Sequence, residues 1–315
     1  MYSLHFYGQM LADATRMDAY TAALRHAVKT DSVVLDLGCG PGVFALMACK
    51  LGARRVYAVE PDNVIAVARE AAAANGCADR IEFFESLSTE ITIPERADII
   101  ISDLRGVLPW FEQHIPSIID ARERLLAPGG VLIPQRDVLW AAVVEAPEQY
   151  EELVGPWQRF DLSAGARLIT NTWRKSHLKP EQLLVEPVCW TKIDYYKVES
   201  PDVRAEISWQ AARNGTAHGI AVWFDSELAD GITFSNHPAQ PKMIYGVGLF
   251  PFSEPVEMSE GERIQLRLAA DLVQDGYVWR WDTDFFAANR LKIAFKQSTF
   301  YGVPLSQAQL RNSAQ

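Results

Sequence analysis

Hydrophobic positions in the first 134 residues follow two alternating periods. Apolar side chains three and four apart predict a helix over Gln9–Val28, and the unbroken apolar run Ser32–Leu37, stopped by glycines, predicts a buried strand. The alternation continues through helix Gly42–Leu51, strand Arg55–Glu60, helix Asn63–Asn75, strands Ile81–Glu85 and Ala97–Ser102, helix Gln113–Leu126 and strand Val131–Ile133. Strands separated by helices in this way build a parallel sheet covered on both faces. After Pro134 the pattern changes to short runs rich in Trp, Tyr, Val and Ile, such as Val138–Glu145, Glu206–Ala212, Ala217–Asp225, Tyr245–Pro251 and Arg263–Asp271. Turn residues separate them, which predicts antiparallel strands. The expected architecture is an α/β domain over 1–134 and a mainly antiparallel, barrel-like β domain over 135–315.

Composition narrows the partners. The 315 residues are 49% hydrophobic and 22% charged, the balance of a folded globular protein. A formal net charge of −10 supplies no basic field for a nucleic-acid backbone or an anionic membrane, and it favours cationic partners. No stretch reaches the roughly 18 uncharged apolar residues that cross a bilayer, since Gln135, Arg136 and Asp137 interrupt even Val131–Val144. The first residues lack the basic-then-apolar order of a signal peptide, so a cytoplasmic protein is expected. Cys39, Cys49, Cys77 and Cys189 form no C-x-x-C pair, and neither a disulfide nor a metal site is expected.

Candidate chemistry concentrates where strands meet glycines. Val33–Leu37 runs into Gly38-Cys39-Gly40-Pro41-Gly42, three alternate glycines that let backbone approach a ligand closely. The pyrophosphate fingerprint G-x-G-x-x-G needs glycine at 43, where valine stands, so the ligand need not carry phosphates. Eighteen residues after Gly42, Glu60 ends the next strand, where a carboxylate can accept from two vicinal ribose hydroxyls. This order points to a nucleoside ligand: S-adenosylmethionine first, another nucleoside otherwise. Asp103 follows a buried strand at the carboxyl edge of the sheet, where such sheets bind ligands, and Glu112 precedes the next predicted helix. The bland alternative makes these a turn acid and a helix N-terminal acid.

The segments Val33–Gly42, Leu51–Glu60, Ile99–Arg122 and Leu126–Pro134 together resemble the protein arginine methyltransferases, and the resemblance covers almost the whole chain. It implies a class I methyltransferase domain that binds S-adenosylmethionine and releases S-adenosylhomocysteine. It further implies a β-barrel interrupted by a dimerisation arm, here about residues 160–178, and a homodimer. The cofactor contacts implied are Met10, Arg16, Asp36, Gly38, Cys39, Gly40, Gly42, Glu60, Pro61 and Ser88, with Arg16 on the methionyl carboxylate and Glu60 on the ribose. Ser102–Glu112 is similar to the family's double-glutamate loop, in which two carboxylates orient an acceptor guanidinium. Asp103 and Glu112 are the catalytic pair the resemblance implies, and Arg105, in the same loop, is a third catalytic candidate.

The loop departs from the family at two positions. Asp103 replaces the first glutamate, and Arg105 stands where the family usually has methionine. The family's Thr-His-Trp aligns with Met243-Ile244-Tyr245, which has no histidine, although His237 lies nearby. A guanidinium at 105 would neutralise a carboxylate, repel a cationic acceptor, or welcome an acceptor's carboxylate. The resemblance implies methyl transfer to a nitrogen nucleophile of guanidine or amine type, such as a protein arginine; alternatively the acceptor is a small amino acid or natural product whose carboxylate Arg105 anchors. From another class comes a non-catalytic S-adenosylmethionine-binding scaffold.

Overall fold

The structure, a computed structural model, describes residues 3–157 and 162–302. By contact the described residues form two compact units, one within 1–138, 192–201 and 224–245, the other within 139–191, 202–223 and 246–302.

The first unit opens with α1 (Leu4–Ala12) and α2 (Ala14–Ala27), where one helix over Gln9–Val28 was expected. Asp13 interrupts it: its backbone leaves the helical region at φ −75 and ψ 94, and its side chain caps α2 by accepting from Arg16 N at 3.1 Å. There follow β1 (Val33–Leu37), α3 (Val43–Lys50), β2 (Arg55–Val59), α4 (Ile65–Ala74), β3 (Ile81–Phe84), β4 (Ala97–Ser102), α5 (His114–Arg124) and β5 (Leu126–Ile133). The five strands form a parallel sheet in the order β3-β2-β1-β4-β5. β5 starts five residues earlier than the apolar run suggests, because its pairing with β4 jumps from Ala97↔Leu126 to Ile99↔Val131 across Pro128-Gly129-Gly130. Strand order reverses at β1, and Leu37 is the register partner of both Val59 and Ser102. The residues that follow these three, Gly38, Glu60 and Asp103, therefore leave the sheet side by side at its switch point.

One expectation is overturned. Cys49, at the end of α3, and Cys77, after α4, are joined in a disulfide with Cα atoms 6.3 Å apart. Helices flanking β2 return the chain to the same end of the sheet, so cysteines 28 positions apart meet without any local motif to announce it.

The remaining elements are β6 (Arg136–Val144), α6 (Pro147–Val154), α7 (Ser163–Ile169), β7 (Arg174–Ser176), β8 (Val188–Asp194), β9 (Val203–Gln210), β10 (Gly215–Ala229), β11 (Ile232–Ser235), β12 (Val247–Met258), β13 (Arg263–Val273), β14 (Gly276–Ala287) and β15 (Arg290–Ser298). They make a six-stranded sheet, β7-β12-β10-β6-β8 with β11 beside β10, and a four-stranded sheet, β15-β14-β13-β9. The core of the second unit is aromatic: Phe250 packs against Trp173, Trp279 and Trp281, and Phe252 against Phe285 and Phe295. An α/β half followed by antiparallel sheets matches the expected fold class. Of the expected arm, Phe160 and Asp161 lie outside the described residues, and 163–176 forms α7 and β7.

Candidate active site

At the glycine turn the backbone supplies most of the structure. Gly38, Gly40 and Gly42 take φ of 73, 52 and 83, left-handed values that side chains resist. Gly38 N and Cys39 N both donate to Val59 O at 2.9 Å, which ties the turn to the end of β2. Glu60 completes the tie, with Oε2 accepting from Gly40 N at 2.9 Å and Oε1 from Asp62 N at 3.0 Å. It is buried, and burial raises its carboxyl above the ordinary range even though the two backbone donors pull the other way. Asp36, fully inside β1, accepts from Ala45 N at 2.8 Å in the first turn of α3. Its pKa is pushed up to about 7, chiefly by burial, with the Ala45 amide opposing. Cys39 is buried beside these two acids, and its thiol is pushed far up by desolvation. Pro61 is exposed, and Ser88 is half-buried in the loop after β3, where its carbonyl accepts from Arg124.

The second cluster gathers on Asp103, whose side chain is 5% exposed. Arg16 Nε donates to Oδ2 at 2.7 Å, Tyr20 OH to Oδ1 at 3.0 Å, and Tyr245 OH reaches both oxygens at 2.8 Å. Arg16 is itself buried, its guanidinium lying over the rings of Tyr20 and Phe44 at 5.5 and 5.1 Å, with Nη1 on the Met10 carbonyl at 3.3 Å. Phe44 stands next to the glycine turn on α3, so Arg16 spans from that turn to Asp103. Asp13 sets this arrangement: while Oδ1 caps α2, Oδ2 accepts from Ile244 N at 2.7 Å and fixes the segment carrying Tyr245.

Arg105 lies behind Asp103 with its side chain 0% exposed. Its Nη1 donates to Asp137 Oδ1 at 2.8 Å and to Ser226 Oγ at 3.0 Å, and the guanidinium faces the Phe224 ring at 4.9 Å. Asp137 Oδ2 accepts from Tyr195 OH at 2.6 Å, and that hydroxyl meets His114 Nε2 at 3.2 Å. Burial and the nearby Arg105 charge hold His114 down to about 3, so its ring is neutral. The carboxylate hydrogen-bonded to Arg105 is thus Asp137, while Asp103 lies within ion-pair distance of its Nε at 3.8 Å. Glu112 stands apart, exposed just ahead of α5, with φ 44 in the left-handed region. His237 is held within its own loop, its Nδ1 accepting from Ala239 N at 2.9 Å.

The fold therefore brings Met10, Arg16 and Asp103 together, and Gly40 with Glu60. Tyr20, Asp137, Tyr195 and Ser226 complete the polar clusters without having been singled out in the sequence. Two of them left a signal: Tyr20 sits four residues after Arg16 on one helix face, and Asp137 is in phase with buried Leu139, Ala141 and Val143 of β6. A carboxylate at a core position requires a buried partner.

Comparison with known proteins covers both halves. Residues 15–148 match the family of ribosomal protein L11 methyltransferase (PrmA), and residues 135–282 match the arginine methyltransferase oligomerization subdomain. Probable protein arginine N-methyltransferase 6 of Arabidopsis thaliana is 29% identical over 233 residues, 70% of this chain and 54% of that protein. Protein arginine N-methyltransferase 2 of Mus musculus is 30% identical over 282 residues, 82% of this chain and 62% of that protein. The chain thus spans less than two thirds of the length of these two relatives. Among solved structures, the Trypanosoma brucei PRMT1 enzyme-prozyme heterotetrameric complex with AdoHcy superposes with a TM-score of 0.84 at 24% identity, covering 95% of this chain and 98% of that one. Arabidopsis thaliana protein arginine methyltransferase 10 gives 0.82 at 23% identity, covering 94% and 97%. Both halves of the chain are thus similar in sequence to protein arginine N-methyltransferases, and the fold is theirs.

Proposed function

We propose that this chain is an S-adenosylmethionine-dependent methyltransferase that transfers a methyl group to a guanidino nitrogen of a protein arginine. The observation that carries the reading is the common exit of the glycine turn, Glu60 and Asp103 from three paired strands. The donor set fits the cofactor. A Cβ on Gly40 would lie 2.8 Å from the Tyr7 ring, so the turn admits backbone only, and Glu60 keeps lone pairs free beyond its two amide bonds. Arg16 would hold the methionyl carboxylate and Glu60 the ribose hydroxyls, with Met10, Asp36, Gly38, Cys39, Gly42, Pro61 and Ser88 around them. What S-adenosylmethionine supplies when bound is an electrophilic methyl on a sulfonium, S-adenosylhomocysteine being what remains.

The protein's part is alignment, exclusion of water and handling of one proton. Asp103, held by Arg16 and two phenols, gives the acceptor end a carboxylate of defined position. As in the family's loop, Glu112 would supply the second carboxylate from its exposed position, drawing in a guanidinium and passing the proton released on methylation to water. The left-handed backbone at Glu112 is the kind of local strain that collects at functional positions. The alternative acceptor, a small carboxylate anchored by Arg105, gains no support from a guanidinium with no exposed surface.

The test offers labelled S-adenosylmethionine with an arginine-rich peptide, free arginine and a small-molecule extract in parallel. Label in the peptide is expected. Label only in small molecules overturns the protein acceptor, and ligand binding without transfer to anything leaves the scaffold reading. The resemblance, together with the match to an oligomerization subdomain, supports a homodimer. A cytoplasmic location is part of the proposal.

A further inference from the structure

Arg105 carries an unused half. Nη1 is committed to Asp137 and Ser226, but Nε and Nη2, both buried, have no hydrogen-bond partner among the described residues. These two form the parallel fork with which a guanidinium takes a carboxylate. A buried donor left bare costs free energy, so two on one side chain require an explanation. The carboxylate nearest the fork is Asp103, with Oδ1 at 3.8 Å from Nε, about 1 Å too far for a hydrogen bond. Asp103 therefore sits between two guanidinium groups, bonded to Arg16 at 2.7 Å and one short step from Arg105.

We propose that Arg105 is a positioning residue that receives Asp103 when Arg16 turns to the carboxylate of the bound cofactor. When the whole guanidinium of Arg16 turns to that carboxylate, Nε leaves Asp103 Oδ2, and a nearly buried charge then keeps only the Tyr20 and Tyr245 hydroxyls. A movement of about 1 Å seats Asp103 on the Nε–Nη2 fork instead, where Arg105 is immobilised by Asp137, Ser226 and the rings of Phe224 and Phe234. Two arginines face Asp103 and Asp137 before binding, a neutral set, and the amino-acid end of the ligand is a zwitterion whose ammonium offsets the carboxylate it brings to Arg16. Methionine at this position could not do this, which gives the arginine of this chain a role that the loop's other residues lack.

The inference rests on the cofactor reading above, and calorimetry separates the two. S-adenosylhomocysteine carries the carboxylate, whereas 5′-methylthioadenosine has the same nucleoside and thioether without it. Wild type should bind both. In the neutral pair Arg105→Met with Asp137→Asn, S-adenosylhomocysteine should bind about tenfold more weakly while methylthioadenosine changes by less than about twofold. Arg105→Lys keeps the charge opposite Asp137 and removes the fork, so it should show the same selective loss, about threefold, and it serves if the double variant does not fold. Equal weakening of both ligands, or no weakening of either, overturns the proposal. Wild type that binds neither ligand instead overturns the cofactor reading on which it rests.

Discussion

The glycine turn and the Asp103 pocket lie at adjacent strand ends yet are made of different material. The turn is backbone held by backbone, with Val59 O, Gly40 N and Asp62 N as its ties and one side chain, Glu60, as the clasp. The pocket is side chain held by side chain: α2 contributes Arg16 and Tyr20, the end of β4 Asp103 and Arg105, β6 Asp137, β10 Ser226, and the segment after β11 Tyr245. A backbone cradle tolerates changes in surrounding chemistry provided the glycines remain. A network of buried charges has no such tolerance, because each group depends on a specific partner of opposite sign.

The contrast is broken most severely at Asp137. Replacing it alone with leucine leaves buried Arg105 without its hydrogen-bonded carboxylate, Asp103 standing 3.8 Å off, and thermal or urea unfolding should show a loss of about 3–5 kcal/mol. A loss below about 1 kcal/mol would mean the pair is not the pocket's anchor. At the turn the sensitive variable is pH. The pKa of Asp36 in the folded chain is raised to about 7 from 3.8, so its contribution to stability is complete below about pH 4 and is lost as pH climbs through 7. Between those limits wild type should fall relative to Asp36→Asn, which keeps an acceptor for Ala45 N, by up to about 1.4 kcal/mol per pH unit. Parallel slopes for the two proteins in urea melts at pH 5 and 7 would contradict this. The smallest effect is the most diagnostic of function. Glu112→Gly relieves the left-handed φ of 44 and should raise stability by about 0.5–1 kcal/mol while methyl transfer collapses. A variant that stays fully active would remove Glu112 from the reaction.

The same contrast explains what could be read in advance. The turn was legible because glycine spacing and a strand-end acid are local, and parallel strands convert chain order directly into spatial order. Asp103, Arg105 and Glu112 were visible as a loop, yet which carboxylate is hydrogen-bonded to Arg105 was not, since Asp137 is 32 positions away and Ser226 121. Tyr245 was located by alignment with a family segment, but its hydroxyl's grip on both Asp103 oxygens depends on a contact spanning 142 positions. The break at Asp13 was legible in principle, since aspartate three residues before an amide it can cap is a start signal, but continuous periodicity on either side concealed it. The Cys49–Cys77 bond had no local signature at all.

Asp13 also bears on how this molecule can be rebuilt. Its two oxygens hold Arg16 N and Ile244 N, groups separated by 228 positions of chain, so the start of α2 and the strand-end segment bearing Tyr245 share one peg. A donor loop spliced in from a relative at 237–245 would arrive without its mate, and an exchanged α2 would leave the loop unseated. Anyone rebuilding this scaffold has to treat residues 13–20 and 243–245 as a single transplantable part.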